Sequence, residues 1–481
     1  MKTAKPAAAV EFDRKLLVNG QWRAGQKAAA VTCPFDGRTV GQVAQASQAD
    51  VEAALTAAFA ARPRLQAQTA GARRDVLTAI AQGLRARQAE LAEAICDEAG
   101  KPITLARVEV ARAVETFTVA AAALSHFGGE IVPVDFSSAQ AGTECEVRRF
   151  PAGVVVGIVP FNFPLNLGAH KVAPAIAVGA PIIIKPPHHA PSAQLILAEL
   201  ALAAGADPAA LQVLPCDNAL AEQLAADPRV RIVSFTGSAK VGWHLKREAK
   251  GKALLELGGN AAAIVADDAD LPRAAQRLAT GGFGYAGQVC IKVQRIIVDE
   301  KVWDAFVPLF LDQVRSLVAG DPRREDVVVG PVIDDRAADR ITEWIAEAKA
   351  GGAQSLLEGR RDGRLLHPSV LTQVPRACRL YREEVFGPVV LLSKCAGFEA
   401  ALAEVNDGDY GLQAGVFTRD LRRVRQAFHT LEVGGVIIDD APSVRHDAMP
   451  YGGVKGSGLG REGVRYTMEE FTEPRALVLR P

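Results

Sequence analysis

Apolar residues recur at three- and four-residue intervals from about Asp50 to Ser125, in alanine-rich stretches such as DVEAALTAAFAARPRL and DVLTAIAQGLRARQAELAEAICDEAG. That spacing gathers apolar side chains on one helical face and predicts helices through the region. Gly100 followed by Lys101-Pro102 is the expected stop. The run AGVVVGIV at 152–159 is short, continuous and β-branched, suited to a buried strand. Strand-like runs at 181–184, 211–215, 229–235, 261–265 and 295–298 then alternate with helix-like stretches at 192–204, 218–226, 239–249 and 271–280. Such alternation predicts β-α-β units and an α/β fold, a parallel sheet with helices on both faces. A second series follows at 303–318, 334–350, 389–392 and 421–431. Segments 145–150 and 475–480 alternate residue by residue, and the second reads as an edge strand that pairs with something else.

Length and charge narrow the picture. A chain of 481 residues exceeds what one hydrophobic core holds, so two or three domains are expected. Lys+Arg and Asp+Glu are both 55, and this balance removes the basic face that a nucleic-acid or anionic-membrane partner needs. The longest apolar stretches are too short to span a bilayer, and the opening MKTAKPAAAVEFDRK lacks the apolar core of a signal peptide. Seven cysteines, odd in number and without a CxxC pair, argue against a disulfide framework or a zinc site; no metal is expected, and a reducing cytoplasm is the better reading.

Four places can carry chemistry. Cys290 follows the turn-prone GGFGYAGQ, which can present a thiol at an element end; a lone cysteine is otherwise a small buried hydrophobe. Glu256, in LLELGGN, is either a solvated strand-end glutamate or a carboxyl whose burial raises its pKa toward that of a general base. Asn162, in PFNFP after the 152–159 run, is a turn asparagine or an amide donor for a developing oxyanion. The segment SFTGSAKVG at 234–242 follows a strand and opens a helix, the context in which backbone N–H groups hold phosphate; it equally suits a plain turn capped by Ser238.

Together and in chain order, PFNFPLNL (160–167), IIIKPP (182–187), FTGSAKVG (235–242), LELGGN (255–260), GQVC (287–290), EEVFGPV (383–389) and PYGGVKGSGLGREG (450–463) resemble the aldehyde dehydrogenase superfamily, from about Leu17 to the C-terminus. The resemblance implies a Rossmann-like cofactor domain (1–129 and 151–257), an α/β catalytic domain (258–465) and a small β extension (130–150 and 466–481) that joins subunits into a homodimer or homotetramer. It implies Cys290 as nucleophile, Glu256 as general base and Asn162 as oxyanion donor beside the Cys290 N–H. It places NAD or NADP against Pro160, Phe161, Lys185, Gly237, Ser238, Glu384 and Phe386. His188 stands where many NAD-preferring members carry a glutamate. Histidine can donate to a 2′-phosphate or carry positive charge, so NADP is expected to be tolerated; an exposed loop histidine without any contact is the competing reading.

The loop DDAPSVRHD at 439–447 is similar to that of lactaldehyde dehydrogenase-like bacterial members. Asn166, His170 and Arg445, with Lys292 and Arg107 (and Arg112) as further cations, would make the mouth polar and suit a small hydroxylated or anionic aldehyde. For Arg445 a surface or subunit-contact salt bridge is the competing reading. Two other functions stand against hydrolytic oxidation: acyl transfer to coenzyme A, disfavoured by Glu256, and a non-catalytic binding protein, disfavoured by the intact set Cys290, Glu256, Asn162 and Glu384.

Overall fold

The computed structural model describes residues 12–480. The reading of the first residues as lacking a leader, and the start of the expected first domain, fall on 1–11, outside the described residues. Helices occupy Gln48–Gln66, Ala70–Ala86, Gln88–Ala99 and Ile103–Ala123. Ser47 and Asp50 cap the first of these reciprocally, and Gly100 ends the third at φ 65°, a left-handed conformation natural to glycine.

One sheet runs in the order Gly458–Leu459, Lys252–Glu256, Val230–Thr236, Val154–Ile158, Ile182–Lys185, Leu211–Val213, Leu16–Val18, Gln21–Arg23. Its five central strands are parallel, and Val154–Ile158 is buried throughout, as a strand covered on both faces must be. The chain moves to one side of Val154–Ile158 through Ile182–Lys185 and Leu211–Val213, then returns to the other side through Val230–Thr236 and Lys252–Glu256. Such a reversal opens a crevice at the carboxyl ends of the strands. The register places Ile158 opposite both Lys185 and Phe235, and Thr236 opposite Glu256. These strand ends therefore reach the crevice together.

A second sheet runs Gln354–Leu357, Ser369–Thr372, Val389–Cys395, Arg295–Asp299, Ala262–Val265, Gln413–Phe417, Gly435–Ile438, parallel except at Gln354–Leu357. Helix Asn166–Val178, buried along its whole length, packs against Ile103–Ala123 and Val464–Glu470. A small sheet projects from the body: Glu144–Pro151 pairs antiparallel with Gly129–Ile131 and with all eight residues of Thr472–Leu479.

Two expectations about organisation need correction. The boundary at 465 cuts through helix Val464–Glu470, whose Val464 and Met468, with the following Phe471, are buried in the core of the first domain. Gly458–Leu459 likewise pairs with Lys252–Glu256, so the end of the stretch assigned to the catalytic domain belongs to the first sheet. Residues Phe12–Arg14, Lys27–Thr32 and Thr39–Gln45 form a separate three-stranded sheet that the residue pattern did not announce. No helix among the described residues is long and apolar enough to cross a membrane.

Candidate active site

Helix Leu271–Phe283 gives way to a turn in which Tyr285, Ala286 and Gly287 are all left-handed, at φ 55°, 53° and 68°. For the two non-glycine residues this conformation costs roughly 1–2 kcal/mol each, so the surroundings must enforce it. They do: Tyr285 donates its N–H to the Val328 carbonyl and its hydroxyl to Ala99 O. Gln288, buried, donates to Pro331 O and accepts from Ile333 N–H. The turn delivers Cys290 to a half-buried position with its Sγ 3.0 Å from the Tyr451 hydroxyl. Burial pushes the thiol up to about 11, against the opposing pull of that hydrogen bond and of Arg445.

Glu256 ends its strand 2% exposed, and neither carboxyl oxygen has a hydrogen-bond partner among the described residues. Burial and then the neighbouring Glu462 hold its pKa well above the usual carboxylate range, while Arg445, Lys171 and Arg461 pull it down. The solvated strand-end alternative is thereby removed. The following glycines are sterically required: a Cβ at Gly258 would lie 2.0 Å from the Glu384 carboxyl, and one at Gly259 2.9 Å from Cys290 O. Gly259 N–H donates to Glu384 at 3.2 Å, and burial raises that carboxyl to about 7. Asn162, buried, donates one amide N–H to Gln288 O at 3.0 Å, which fixes it against the cysteine loop with its second N–H in reserve.

Over the thiol closes the loop 450–463, pinned by paired backbone bonds between Tyr451 and Glu462. Arg445 lies inside the site with its side chain 6% exposed, not on the surface; its guanidinium stacks 3.7 Å above the Tyr451 ring and reaches Glu462 at 3.3 Å. Its Nε has no partner among the described residues. Glu462 is held low by Lys171, 2.7 Å away, and by Arg445, despite complete burial. Asn166 and His170, one helical turn apart, both bond Asp447 Oδ1, at 3.1 and 2.8 Å, and Arg112 clamps the same carboxylate at 2.7 Å. Burial drops His170 to about 4, so its ring is neutral at pH 7.

On the other side of the thiol lies the crevice of the first sheet. Pro160 and Phe161 leave the Val154–Ile158 strand there, and Phe161 meets Phe386 edge-on at 6.0 Å between centroids. Lys185 is buried, makes no side-chain hydrogen bond among the described residues, and is lowered by burial to about 8. Ser238 precedes helix Ala239–Glu248 in extended conformation but does not cap it with its side chain, leaving the first N–H groups open. Gly237 is half-buried at the same turn. An ammonium without a partner, an uncapped helix start and a carboxyl held by one N–H fit the phosphates and ribose hydroxyls of a dinucleotide. His188 bonds Asn218 at 3.2 Å; burial and the adjacent Lys185 lower its pKa, which favours the donating ring over the charged one.

Two expected substrate residues lie elsewhere. Lys292 is buried and donates to the carbonyls of Gly387 and Val389, tying the cysteine loop to the 383–389 segment instead of adding a cation to the mouth. Arg107 is exposed and pairs with Glu325. Conversely, Tyr451, Glu462, Lys171 and Asp447 were not singled out from the sequence. Tyr451 and Glu462 sit inside the quoted 450–463 motif, which was the available signal. No cluster of His, Cys, Asp or Glu able to hold a metal occurs among the described residues.

Two wound α/β domains that meet over a thiol, a buried carboxyl and a dinucleotide crevice define a class of protein, the cofactor-dependent oxidoreductases. Residues 22–477 match the aldehyde dehydrogenase family, and the chain belongs to it. Among its relatives, 3-sulfolactaldehyde dehydrogenase from Priestia aryabhattai is 40% identical over 466 residues, covering 96% of this chain and 97% of the other. Aldehyde dehydrogenase 21 from Physcomitrella patens, solved with the reaction product succinate, superposes with a TM-score of 0.95 at 41% identity, covering 98% and 99% of the two chains. The NADP-dependent glyceraldehyde-3-phosphate dehydrogenase from Bacillus halodurans, solved with NADP, gives 0.94 at 33% identity over 98% and 100%. The chain is thus an NAD(P)-dependent enzyme acting on aldehydes.

Proposed function

We propose that this enzyme oxidises a small anionic or hydroxylated aldehyde to the carboxylic acid through a thioester on Cys290, which water then hydrolyses. The observation that carries the reading is the pairing of a half-buried thiol with a carboxyl that is buried, unbonded and within electrostatic reach of it. Cys290, as thiolate, adds to the aldehyde carbon, and the resulting oxyanion takes the free amide N–H of Asn162 and the backbone N–H of Cys290. NAD or NADP, when bound, supplies the hydride acceptor. Lys185, Gly237, Ser238, Glu384, Phe386, Pro160 and Phe161 would hold it. Glu256, once ionised, takes a proton from the water that attacks the thioester; acid leaves and the thiolate is restored. A base beside the sulfur favours water as acyl acceptor and disfavours transfer to coenzyme A.

The charge of the chamber supports an anionic substrate. Arg445, Lys171 and Arg112 pair with Glu462 and Asp447, three cations to two anions, while burial raises the pKa of Glu256 and lowers that of His170 to about 4. Arg445, with its open Nε, is the group placed to meet a carboxylate or sulfonate. The relatives named for 3-sulfolactaldehyde and lactaldehyde, and the succinate complex, point the same way. For the cofactor, a neutral His188 offers no carboxylate to repel a 2′-phosphate, consistent with NADP use. Assembly into a homodimer or homotetramer would use the projecting sheet, whose outer strand bears Leu477, Val478 and Leu479, each more than half exposed.

A panel of succinic semialdehyde, lactaldehyde, glycolaldehyde and a medium-chain alkanal, run with NAD and NADP, tests the reading. The expected result is a kcat/KM at least about tenfold higher for an anionic or hydroxylated aldehyde than for the alkanal. Preference for the alkanal would contradict it.

A further inference from the structure

The geometry points to Tyr451 as a further catalytic residue: its hydroxyl donates to Cys290 Sγ, fixing the sulfur's rotamer and stabilising the thiolate, while Arg445 stacked on its ring strengthens the donor. The inference rests on Cys290 being the nucleophile. Three observations support it. The Tyr451 hydroxyl lies 3.0 Å from Sγ, well inside the range of a hydrogen bond to sulfur. The ring is buried at 3% exposure, so no bulk water competes for the hydroxyl. The Arg445 guanidinium stands 3.7 Å above the ring face, and a cation there draws electron density from the phenol and polarises its O–H toward sulfur.

The arrangement answers a problem that the rest of the site poses. A thiol in these surroundings resists ionisation, since burial removes the solvation of the anion. Glu256 does not hydrogen-bond the sulfur, and no lysine or histidine does so among the described residues. Among the described residues, Tyr451 supplies the one side-chain hydrogen bond that reaches it. Because burial holds the phenol in its neutral form, its proton stays on oxygen and is shared with S⁻, a hydrogen bond to an ion and stronger than one between neutral groups. The proton that leaves sulfur passes to water on the exposed side of Cys290; no electron transfer is involved.

The backbone fixes this contact. Tyr451 and Glu462 exchange both backbone hydrogen bonds, and Glu462 in turn orients Arg445. Hydroxyl, ring and cation are therefore set by one closed loop, independently of any bound substrate.

The test is the pH dependence of Cys290 alkylation by iodoacetamide, read by peptide mass spectrometry on wild-type enzyme and on Tyr451→Phe. Loss of one hydrogen bond to an anion should move the midpoint up by about one pH unit and slow alkylation roughly tenfold at pH 7.5. The Phe ring keeps the packing against Arg445, and an unchanged urea unfolding midpoint confirms that the shift is local. The same midpoint in both proteins would overturn the proposal. The Cys290 assignment fails separately: normal aldehyde turnover by Cys290→Ala would remove the nucleophile whatever the alkylation data show.

Discussion

At the scale of single residues, the site depends on groups whose pKa values burial moves away from their ordinary range. Glu256 is the clearest. Its native pKa lies above that of the unfolded chain, so the native state binds a proton that the unfolded state has released. Stability from this group is full below pH 4.5 and falls as pH rises toward the native pKa. Glu256→Gln removes that loss, so urea unfolding at pH 8 should show a variant at least as stable as wild type; a lower midpoint would mean that the carboxylate is stabilised by something other than the neighbours seen here. The thiol and the carboxyl both need to lose protons, so turnover should climb with pH from 6 to 9. A profile flat over that range would contradict their roles. Arg445→Met is expected to lower kcat/KM for every aldehyde, because Arg445 also supports Tyr451, but by about tenfold more for succinic semialdehyde than for an alkanal, the signature of a charge that recognises an anion. Equal losses on both would remove Arg445 from anion recognition. Cys290, Glu256 and Asn162 stand out in the sequence through the motifs that carry the family resemblance; local chemistry alone leaves a plain alternative for each. Tyr451 does not stand out: its partner is 161 positions away, and a tyrosine after proline shows no local sign of facing a thiol. Asp447 was missed similarly, since its role comes from His170 and Arg112, 277 and 335 positions distant.

At the scale of elements, the pattern reads well where large apolar residues are dense and poorly where alanine, glycine or a polar residue thins them. The helical stretch 50–125 resolves into four helices, and the strands Val230–Thr236 and Arg295–Asp299 fall within a residue or two of the apolar runs that predict them. Lys27–Thr32 was missed because KAAAVT is mostly alanine, a weak strand former held here only by pairing with Thr39–Gln45. Gln413–Phe417 was missed because a buried glutamine opens it and a glycine interrupts it; Gln413 is stabilised by carbonyls of Pro442 and Val444, which no pattern reveals. The left-handed turn at Tyr285–Gly287 shows why the cysteine loop carries a glycine. A Cβ at Gly287 would stand 2.3 Å from the Gly387 carbonyl, in a conformation already unfavourable for other residues. Gly287→Ala is therefore expected to destabilise the protein by about 2 kcal/mol in urea unfolding and to lower turnover as the thiol shifts. An unchanged midpoint with full activity would show that the turn adapts freely.

At the scale of the whole molecule, function follows from where two sheets end. The reversal of strand order around Val154–Ile158 opens a crevice at the strand ends, where Lys185 closes its strand, Ser238 starts a helix, and Asn162 bonds the cysteine loop at Gln288. The 450–463 loop and helix Val464–Glu470 close the chamber from the first domain's side, so residues from both ends of the chain must be in place before any chemistry begins. The projecting sheet lies apart from this, with an outer strand free to pair; Val478→Asp is expected to reduce the sedimenting mass to that of a smaller assembly or a monomer. Central to the whole account is a covalent acyl group on one sulfur, produced as the cofactor is reduced and removed with the help of Glu256. Rapid mixing of Glu256→Gln with a good aldehyde substrate and NADP or NAD, followed by quenching and peptide mass spectrometry, tests this most directly. The account predicts a burst near one NAD(P)H per active site, an acyl adduct on Cys290, and release slowed by about a hundredfold or more. Steady turnover at the wild-type rate, or an adduct on any residue but Cys290, would contradict it.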